Sequence, residues 1–430
     1  MHTHDSSRVL VIGTTADYIQ WIQEARPGKA VYITAPEIRK TAEEPAPSKE
    51  EEILCNLKDG QAVIHALVMH LESFGMDPAG VVCFDCESMA LAAKIANYFK
   101  LRYPSVKSIE NCRHKDISKI LWRESGVDCP NSKKVGSLGD LKAFLHSSDG
   151  PVVLKPSNGS GSELVFICDS LPACEANYAT LHRELAERKN NRLYINENPR
   201  MPRVVAEAYV AGDEYSCDFL LQRDDVHIIR ITEKIRPSEA PFGTVGGYIF
   251  PSPLPPQFPE EKLQEALMKA ARALGLETCI GMADFIISSG RIFFLEITPR
   301  PGGDCLPHLL RSACGFDMLS FAMDVAAGIP ALLPNTGNIR PQMGIRLHAK
   351  APGRLKRVNV NHASNDSRIL DVKIIRRPGH RIVLPPADYE SWFLGHLIVE
   401  LPNGVDPRQE YLRIQEGVAI EIENETDEFE

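Results

Sequence analysis

The chain of 430 residues has no apolar run long enough to cross a bilayer, for which a helix needs about 20 consecutive apolar residues. Its beginning, MHTHDSSRVLVIG, lacks the basic start and long apolar core of a secretion signal. Positive charge is in deficit, because 57 acidic residues against 48 basic ones give a net charge of −9. Broad nucleic-acid and anionic-membrane surfaces need a basic face, so the sequence disfavours both as partners.

Several ligand-binding motifs are missing as well. The first predicted strand, RVLVIG at residues 8–13, continues as TTAD instead of opening G-x-G-x-x-G, which disfavours a dinucleotide site. The thirteen histidines include no H-x-x-x-H or H-E-x-x-H spacing, so we expect no zinc site. The eleven cysteines are odd in number and scattered through apolar stretches, which is typical of reduced thiols in a cytoplasmic protein.

The pattern of elements predicts a mixed α/β fold of the α+β type with two to four domains, because 430 residues exceed one compact core. Strand-like runs at 8–13, 29–34 and 80–85 alternate with helical segments, which indicates a parallel α/β layer. An antiparallel sheet is then predicted from short strands at 151–156, 163–168, 204–210, 214–222 and 226–232. Helices are predicted at 260–274 and, as one or two, at 306–327. Beyond 335–341 the chain turns β-rich and ends in an acidic tail, ENETDEFE, which we expect to be frayed.

The segment Arg291–Asp304, RIFFLEITPRPGGD, is the most informative part of the chain. An apolar strand leads into Glu296, and Thr298, Arg300 and two glycines follow. Asp284 closes another apolar run, GMADFII, seven residues before this strand begins. Mg²⁺ prefers oxygen ligands shared between carboxylates and phosphates, and arginine offers a planar fork of donors to phosphoryl oxygens. Either acid alone would suit a solvated hairpin tip, but together they favour a site for a cation and a phosphate-bearing ligand.

A second signal is the hairpin VVLKPSNGSGSELVFI. Its turn combines Gly159 and Gly161 with small polar residues, so that backbone N–H groups can approach a phosphate closely. Lys155, at the end of the first strand, can place an ammonium on the same phosphates. The hairpin is not a Walker A loop, because no G-K-[ST] opens a helix. Taken alone, such a turn is more often simply mobile.

The order of four pieces changes this weighing. Lys115 comes first, then Lys155 with its glycine loop, then the acids of VVAEAYVAGDEYSCDF, and finally Asp284 and Glu296. Over roughly residues 8–335 the chain resembles the ATP-grasp family, and within it the carboxylate–amine ligases that join amino acids. The resemblance implies an N-terminal α/β domain at 1–112, a central subdomain with a flexible glycine loop at 113–203 and a catalytic subdomain at 204–335. A small β-rich C-terminal domain with an acidic tail would follow at 336–430.

The same resemblance implies site residues. Lys115 and Lys155 would contact the nucleotide phosphates, with Lys155 also catalytic, under a flap that comprises Ser157, Asn158, Gly159, Ser160, Gly161 and Ser162. Glu207 and the main chain of Ala208, Tyr209 and Val210 would hold adenine, and Glu214 would bind the ribose hydroxyls. Asp284 and Glu296 would be metal ligands.

The sequence departs from the family at Thr298, where an asparagine is usual. A threonine hydroxyl is a weaker oxygen ligand than an amide carbonyl, so the third metal ligand and the number of metals stay open. Arg300 is implied to contact the transferring phosphoryl group. The other substrate contacts predicted here are Lys234, Arg236, Gly247, Tyr248, Gly302, Gly303 and His308, and no general base is assigned. A surface loop with solvated basic residues is an equal alternative for 233–257, and a lone histidine such as His308 is more often structural.

We therefore expect a cytoplasmic, ADP-forming enzyme that uses ATP and Mg²⁺ or Mn²⁺ to activate a small carboxylate as an acyl phosphate and couple it to an amine. Such transfer depends mostly on positioning and charge stabilisation, which this residue set supplies without a protein nucleophile. Two alternatives remain: an ATP-grasp enzyme of carboxylation or nucleotide biosynthesis, and a nucleotide-binding module without activity. The expected partners are small molecules and, as in many relatives, a second copy of the chain.

Overall fold

The computed structural model describes residues 6–194, 203–330, 332–335, 339–360 and 366–424. The chain begins with a sheet of four parallel strands in the order β3-β2-β1-β4. These strands are β1 (Ser7–Ile12), β2 (Ala30–Thr34), β3 (Glu52–Leu54) and β4 (Asp77–Val82). Alternate residues of β1 are buried in two different apolar clusters, as expected for a parallel sheet covered on both faces.

Four helices accompany this sheet: α1 (Ala16–Ala25), α2 (Pro36–Thr41), α3 (Gly60–Phe74) and α4 (Met89–Phe99). The α3 helix begins where the Asp59 carboxylate accepts the Ala62 N–H and ends at Gly75, which adopts a left-handed φ of +61°. The predicted parallel α/β layer is therefore confirmed, although β3 and α3 were not predicted.

A second, antiparallel sheet of four strands follows, in the order β5-β8-β6-β7. Its elements in chain order are α5 (Val106–Arg113), α6 (Lys115–Glu124), β5 (Ser132–Val135), α7 (Leu138–Ser147), β6 (Val152–Pro156), β7 (Phe166–Cys168), α8 (Leu171–Glu187) and β8 (Val204–Ala208). The returning strand expected at 163–168 begins only at Phe166. The turn before it is wider than predicted, because Gly161, Ser162 and Leu164 all have φ near +60°.

The largest sheet has eight antiparallel strands in the order β13-β12-β9-β10-β11-β14-β18-β16. Its strands are β9 (Asp213–Gln222), β10 (Asp225–Ile235), β11 (Gly247–Phe250), β12 (Thr278–Ser288), β13 (Arg291–Thr298), β14 (Gln342–His348), β16 (Ile369–Ile374) and β18 (Phe393–Glu400). A separate three-stranded sheet contains β15 (Gly353–Asn359), β17 (Arg381–Ile382) and β19 (Ala419–Glu423). Three of the β-rich C-terminal strands thus extend the sheet of the preceding region.

The remaining helices are α9 (Glu260–Ala273), α10 (Leu306–Cys314), α11 (Met318–Ala327) and α12 (Pro407–Glu416). The helical stretch predicted at 306–327 is two helices, because Gly315 ends α10 with φ +69° and Asp317 caps α11. Helix α12 was not predicted. In the described part of the chain no helix is long and apolar enough to cross a membrane. The predicted domain boundaries stay predictions, and residues 425–430 of the acidic tail lie outside the described residues.

Candidate active site

A cavity of about 350 Å³ lies between the β6–β7 hairpin and the eight-stranded sheet. The predicted site residues that line it are Lys115, Lys155, Gly159, Ser160, Gly161, Ser162, Glu207, Ala208, Tyr209, Val210, Glu214, Lys234, Arg236, Tyr248, Asp284, Glu296, Arg300 and Gly303. Residues from α6, from the four-stranded and eight-stranded antiparallel sheets and from the turn after β13 thus meet at one place.

Six predicted residues do not line this cavity: Ser157, Asn158, Gly247, Thr298, Gly302 and His308. The Ser157 hydroxyl donates a hydrogen bond to Asp116 beneath the flap. His308 lies on α10 against the rings of Trp21 and His396, which contradicts the expectation that it faces the pocket. Its position follows from the helical turn, because α10 directs Leu306 towards the cavity and His308 towards α1.

The two predicted metal-binding acids lie side by side. Asp284 of β12 and Glu296 of β13 are directly opposite each other in the antiparallel register. Side chains at opposed positions point to the same face, with their Cβ atoms about 4.5–5.5 Å apart. Like charges at that spacing repel each other, so the arrangement needs compensating cations.

Two lysines provide this compensation. Lys115 Nζ lies 3.0 Å from Glu296 Oε2, and Lys234 Nζ lies 2.7 Å from Asp284 Oδ2. Burial alone would raise the pKa of Glu296, but the Lys115 ammonium and hydrogen bonds from Lys115 and Thr298 outweigh it and lower this pKa to about 2. Glu296 is therefore ionised throughout the physiological range.

The pair of acids fits a hard divalent cation. Asp284 Oδ1 is buried without a hydrogen-bond partner among the described residues, so this oxygen has an unused coordination position that points to a missing electrophile. Thr298 is 3 % exposed, and its hydroxyl donates to Glu296 Oε1 at 3.0 Å. Thr298 thus orients Glu296 from behind, whereas Asp284 and Glu296 themselves line the cavity.

Glu207 belongs to a buried charge cluster. Its carboxylate lies 2.7 Å from Lys155 Nζ and 3.5 Å from Lys119 Nζ, and Lys119 also donates to the Leu295 carbonyl at 2.5 Å. Burial opposes ionisation of Glu207, but the two lysines outweigh it and lower its pKa. The cluster holds Lys155 at the cavity wall, and sequence analysis did not find Lys119 because a lone lysine inside a helix carries no motif.

The backbone after β8 was predicted to hold an adenine ring. The N–H groups of Ala208 and Tyr209 are engaged elsewhere, with the carbonyls of Asn131 at 2.7 Å and Pro151 at 2.9 Å. Any contact to a base from these two residues would therefore use other atoms. Glu214 faces the cavity in an ion pair with Lys234 at 2.8 Å and in a close pair with Arg236.

The turn that carries Arg300 is supported from two sides. The Arg300 guanidinium donates to Cys86 Sγ at 3.0 and 3.3 Å and to the Pro301 carbonyl at 2.6 Å. Below the turn, the Gly302 N–H donates to Asp218 Oδ1 at 2.8 Å. Asp218 is in turn paired with the buried Arg230 at 2.6 Å. These contacts fix the direction in which Arg300 enters the cavity.

The flap and the residue that follows it are held by two side-chain hydrogen bonds. Lys115 Nζ donates to the Gly159 carbonyl at 3.2 Å, and the Tyr194 hydroxyl donates to Glu163 Oε2 at 2.6 Å. Gly243, in the loop before β11, faces the flap so closely that an added Cβ would lie 3.3 Å from Ser162 Cβ. The flap therefore covers the cavity and lies close to α6 on one side and to the loop before β11 on the other.

Several cavity residues were not predicted from the sequence. Asp304 and Arg346 form an ion pair of 2.6 Å at the cavity wall, with Arg346 supplied by β14 beyond the region of motif resemblance. The apolar lining comes mainly from Val153, Val165, Phe242, Met282, Ile286 and Leu295. Asp304 follows the predicted PGG turn directly, so the motif offered a signal for it, whereas strand MGIRLHA offered none for Arg346.

Comparison with known proteins gives a family-model match to an ATP-grasp domain over residues 148–308. An uncharacterised protein of Sinorhizobium fredii is 28% identical over 71% of this chain and 61% of its own length. A D-alanine–D-alanine ligase of Delftia acidovorans is 25% identical over 54% of this chain and 69% of its own length. An alanine–anticapsin ligase of Bacillus amyloliquefaciens is 24% identical over 62% and 57% respectively. The matched region thus spans roughly three fifths of the length of these relatives.

Solved structures show the same fold. An L-amino acid ligase from Bacillus licheniformis superposes with a TM-score of 0.75 and 19% identity, covering 97% of this chain and 99% of its own. An N5-carboxyaminoimidazole ribonucleotide synthetase in complex with ADP superposes with a TM-score of 0.66 and 11% identity, covering 96% and 97%. The domain match and the likeness in fold agree: residues 148–308 match an ATP-grasp domain, and the whole chain shares its fold with an L-amino acid ligase.

Proposed function

We propose that the protein is an ATP-dependent, ADP-forming ligase that joins a small carboxylate to an amine, with amino-acid-like substrates. The observation that carries the proposal is the opposed pair Asp284 and Glu296, which shares one cavity with Lys115, Lys155 and Arg300. This set offers carboxylates for a metal ion, cations for phosphate oxygens and a flap against water. The names of the curated ligase relatives support the same class of reaction.

The nucleotide is proposed to enter beneath the flap. Apolar side chains such as Val153, Val165 and Leu295 suit the faces of a purine ring, and Glu214 can accept hydrogen bonds from ribose hydroxyls. Lys155, held by Glu207, would meet the phosphates. The backbone donors of Gly159–Ser162 would cover them from above.

Mg²⁺, the cation proposed for Asp284 and Glu296, supplies charge neutralisation and in-line alignment for phosphoryl transfer when bound. Lys115 and Lys234 pair with these same acids in the structure. A cation on the acids would release both ammonium groups towards the substrate oxygens. The lysines therefore neutralise the acids in the free protein and act as phosphate or carboxylate ligands in the loaded one.

The reaction proposed has two steps. A carboxylate oxygen of the first substrate attacks the γ-phosphorus of ATP, the bond to the β-phosphate oxygen breaks, and ADP leaves. Arg300 would stabilise the charge on the transferring group, since its guanidinium is fixed at the cavity wall by Cys86. The amine of the second substrate then attacks the carbonyl carbon, phosphate leaves, and the amine loses a proton as the amide forms.

Water exclusion is the second requirement, because water hydrolyses an acyl phosphate. The flap would exclude water from the cavity. A 2.6 Å hydrogen bond from Tyr194 to Glu163, directly after the flap, would stabilise it in this position. Glycine at 159 and 161 permits the cover to open for nucleotide exchange. Lid motion then commits the substrates before the amine attacks.

The test is ADP and phosphate release from Mg-ATP with amino acids supplied singly and in pairs, followed by mass spectrometry of the product. The proposal requires turnover that depends on a carboxylate and an amine, and an adduct whose mass equals both minus water. Release that needs bicarbonate instead would favour the carboxylase alternative, which the likeness in fold to a carboxyaminoimidazole ribonucleotide synthetase keeps open. Nucleotide binding without substrate-dependent ADP would refute both and favour the silent module.

A further inference from the structure

Two histidines and an aspartate meet outside the cavity described above. His308 lies on α10, Asp371 on β16 and His396 on β18. One ligand atom from each, a ring nitrogen or a carboxylate oxygen, lies within 4.8 Å of the others. The three residues are far apart in the chain, which explains why histidine spacing predicted no such site.

Sheet geometry accounts for the convergence. Asp371 is paired with Ile398 and Lys373 with His396, so the four side chains share one face of the β16–β18 ladder. Ile398 of this face belongs to the apolar cluster that also contains Leu306 and Leu309 of α10. The helix therefore brings His308 down onto the pair of strands.

His396 provides an independent sign of a missing partner. The residue is 4 % exposed, and its Nε2 atom has no hydrogen-bond partner among the described residues. A buried nitrogen without a hydrogen-bond partner destabilises the fold, so a native site that keeps one requires an explanation. The His308 ring lies against it at 4.9 Å between centroids.

The surrounding charges permit a cation. Lys373, opposite His396 in the ladder, is a neighbouring positive group, but it is engaged in a close ion pair with Asp17 of α1. Arg346, opposite His396 on β14, is engaged by Asp304.

We propose that His308, Asp371 and His396 form a binding site for a divalent transition-metal ion, with Zn²⁺ as the best fit. Two imidazoles and one carboxylate are a donor set that suits Zn²⁺, with water in a fourth position, whereas Mg²⁺ prefers oxygen ligands. In a tetrahedral site with bonds of about 2.0–2.1 Å, ligand atoms lie roughly 3.3–3.5 Å apart. Contraction from at most 4.8 Å needs small rotations of the exposed Asp371 and half-buried His308.

The metal would act as a cross-link. It would join α10 to the outer strands β16 and β18, on the face where Lys373 already joins β16 to Asp17. His396 also stands opposite Arg346, which lines the active-site cavity, so the cross-link would stabilise one wall of that cavity. This role is independent of which reaction the cavity performs.

The test uses the full-length chain without an affinity tag, stripped with chelator and then dialysed against Zn²⁺ in excess Mg²⁺. Zinc is quantified by mass spectrometry, and Co²⁺ substitution gives an absorption spectrum that reports coordination. Asp371→Asn is the main variant, because this exposed carboxylate can be removed without disturbing the core. His396→Ala removes the buried ligand. The controls are His65→Ala, an exposed histidine elsewhere, and the pair His2→Ala with His4→Ala near the N-terminus.

One equivalent of Zn²⁺ should bind to the unaltered chain and raise its unfolding temperature. Asp371→Asn should weaken this binding by at least about tenfold, since even outer partners of ligands are worth about 10–100-fold. The histidine controls and Glu296→Gln should bind zinc like the unaltered chain. Absence of stoichiometric zinc, binding unchanged in Asp371→Asn, or loss of binding in Glu296→Gln or the N-terminal pair would overturn the assignment.

Discussion

Exchange of Gly302 for alanine tests how the turn that carries Arg300 is supported. An added Cβ would lie 2.5 Å from an Arg230 guanidinium nitrogen, 2.8 Å from Leu306 Cδ1 and 3.1 Å from Asp218 Oδ1. Arg230 is 1 % exposed and cannot move freely, because its guanidinium also donates to Thr232 Oγ1 at 2.8 Å. The turn must therefore shift, or the buried pair must break.

The loss of folding stability can be estimated for each of these two outcomes, a shifted turn or a broken ion pair. Overpacking costs about 1–3 kcal/mol, and the loss of one partner of a buried ion pair costs about 3–5 kcal/mol. We expect Gly302→Ala to lower the free energy of unfolding by about 3 kcal/mol. Turnover should fall as well, because the Gly302 N–H bond to Asp218 positions the segment that carries Arg300.

The neighbouring glycine is a matched control. A Cβ added at Gly303 would have Arg300 Nη1 as its nearest neighbour, at an ordinary contact distance of 3.8 Å. Gly303→Ala should therefore leave stability within about 1 kcal/mol of the unaltered chain. Urea unfolding followed by tryptophan fluorescence compares the two variants. Equal midpoints and equal turnover for both would refute the reasoning about Gly302.

Four further predictions concern the carboxylates and their neighbours. Glu296→Gln should reduce Mg²⁺-dependent turnover by about a hundredfold or more. The control Glu421→Gln, which alters a surface acid on β19, should not reduce it. Similar turnover of the two variants in ATP assays would contradict the metal assignment. The pKa of Glu296 falls from 4.5 to about 2 in the folded protein, so its ionisation stabilises the fold fully above about pH 5 and less as the pH falls towards 2. The free energies of unfolding of the unaltered chain and of Glu296→Gln should therefore differ by roughly 3 kcal/mol at pH 7 and by less at pH 4. Thr298→Val should cost about 1 kcal/mol in unfolding assays, through loss of its hydrogen bond, and far less turnover than Glu296→Gln. Arg300→Ala should lower kcat much more than ATP affinity, and a pure binding defect in titration would argue against its transition-state role.

Local pattern determined much of the fold. The alternation of apolar strands and amphipathic helices in the first hundred residues predicted the parallel layer, because each such element carries its own periodicity. The acids Asp284 and Glu296 were found because each follows apolar residues of a predicted strand and because Arg300 comes soon after them. The elements missed were short or weakly patterned, such as β3 and α12.

Pairing across the chain was decided only by the tertiary structure. Sequence order indicated that Lys115, Lys155 and the acids share a site, but it did not reveal that Lys234 neutralises Asp284 or that Glu207 holds Lys155. Such pairs depend on strand register and on the order of strands in a sheet, and a shift of one residue would turn every side chain to the other face.

The sequence by itself thus determined the motifs that resemble the ATP-grasp family, the candidate metal-binding acids and the glycine flap, since these are properties of short segments. The tertiary structure decided where they converge, which cations balance them, and that β14 completes the cavity with Arg346. It also places His308 outside the cavity, beside Asp371 and His396. The physical reason is that packing of α10 against a long-range sheet places these side chains, and no local periodicity encodes that packing.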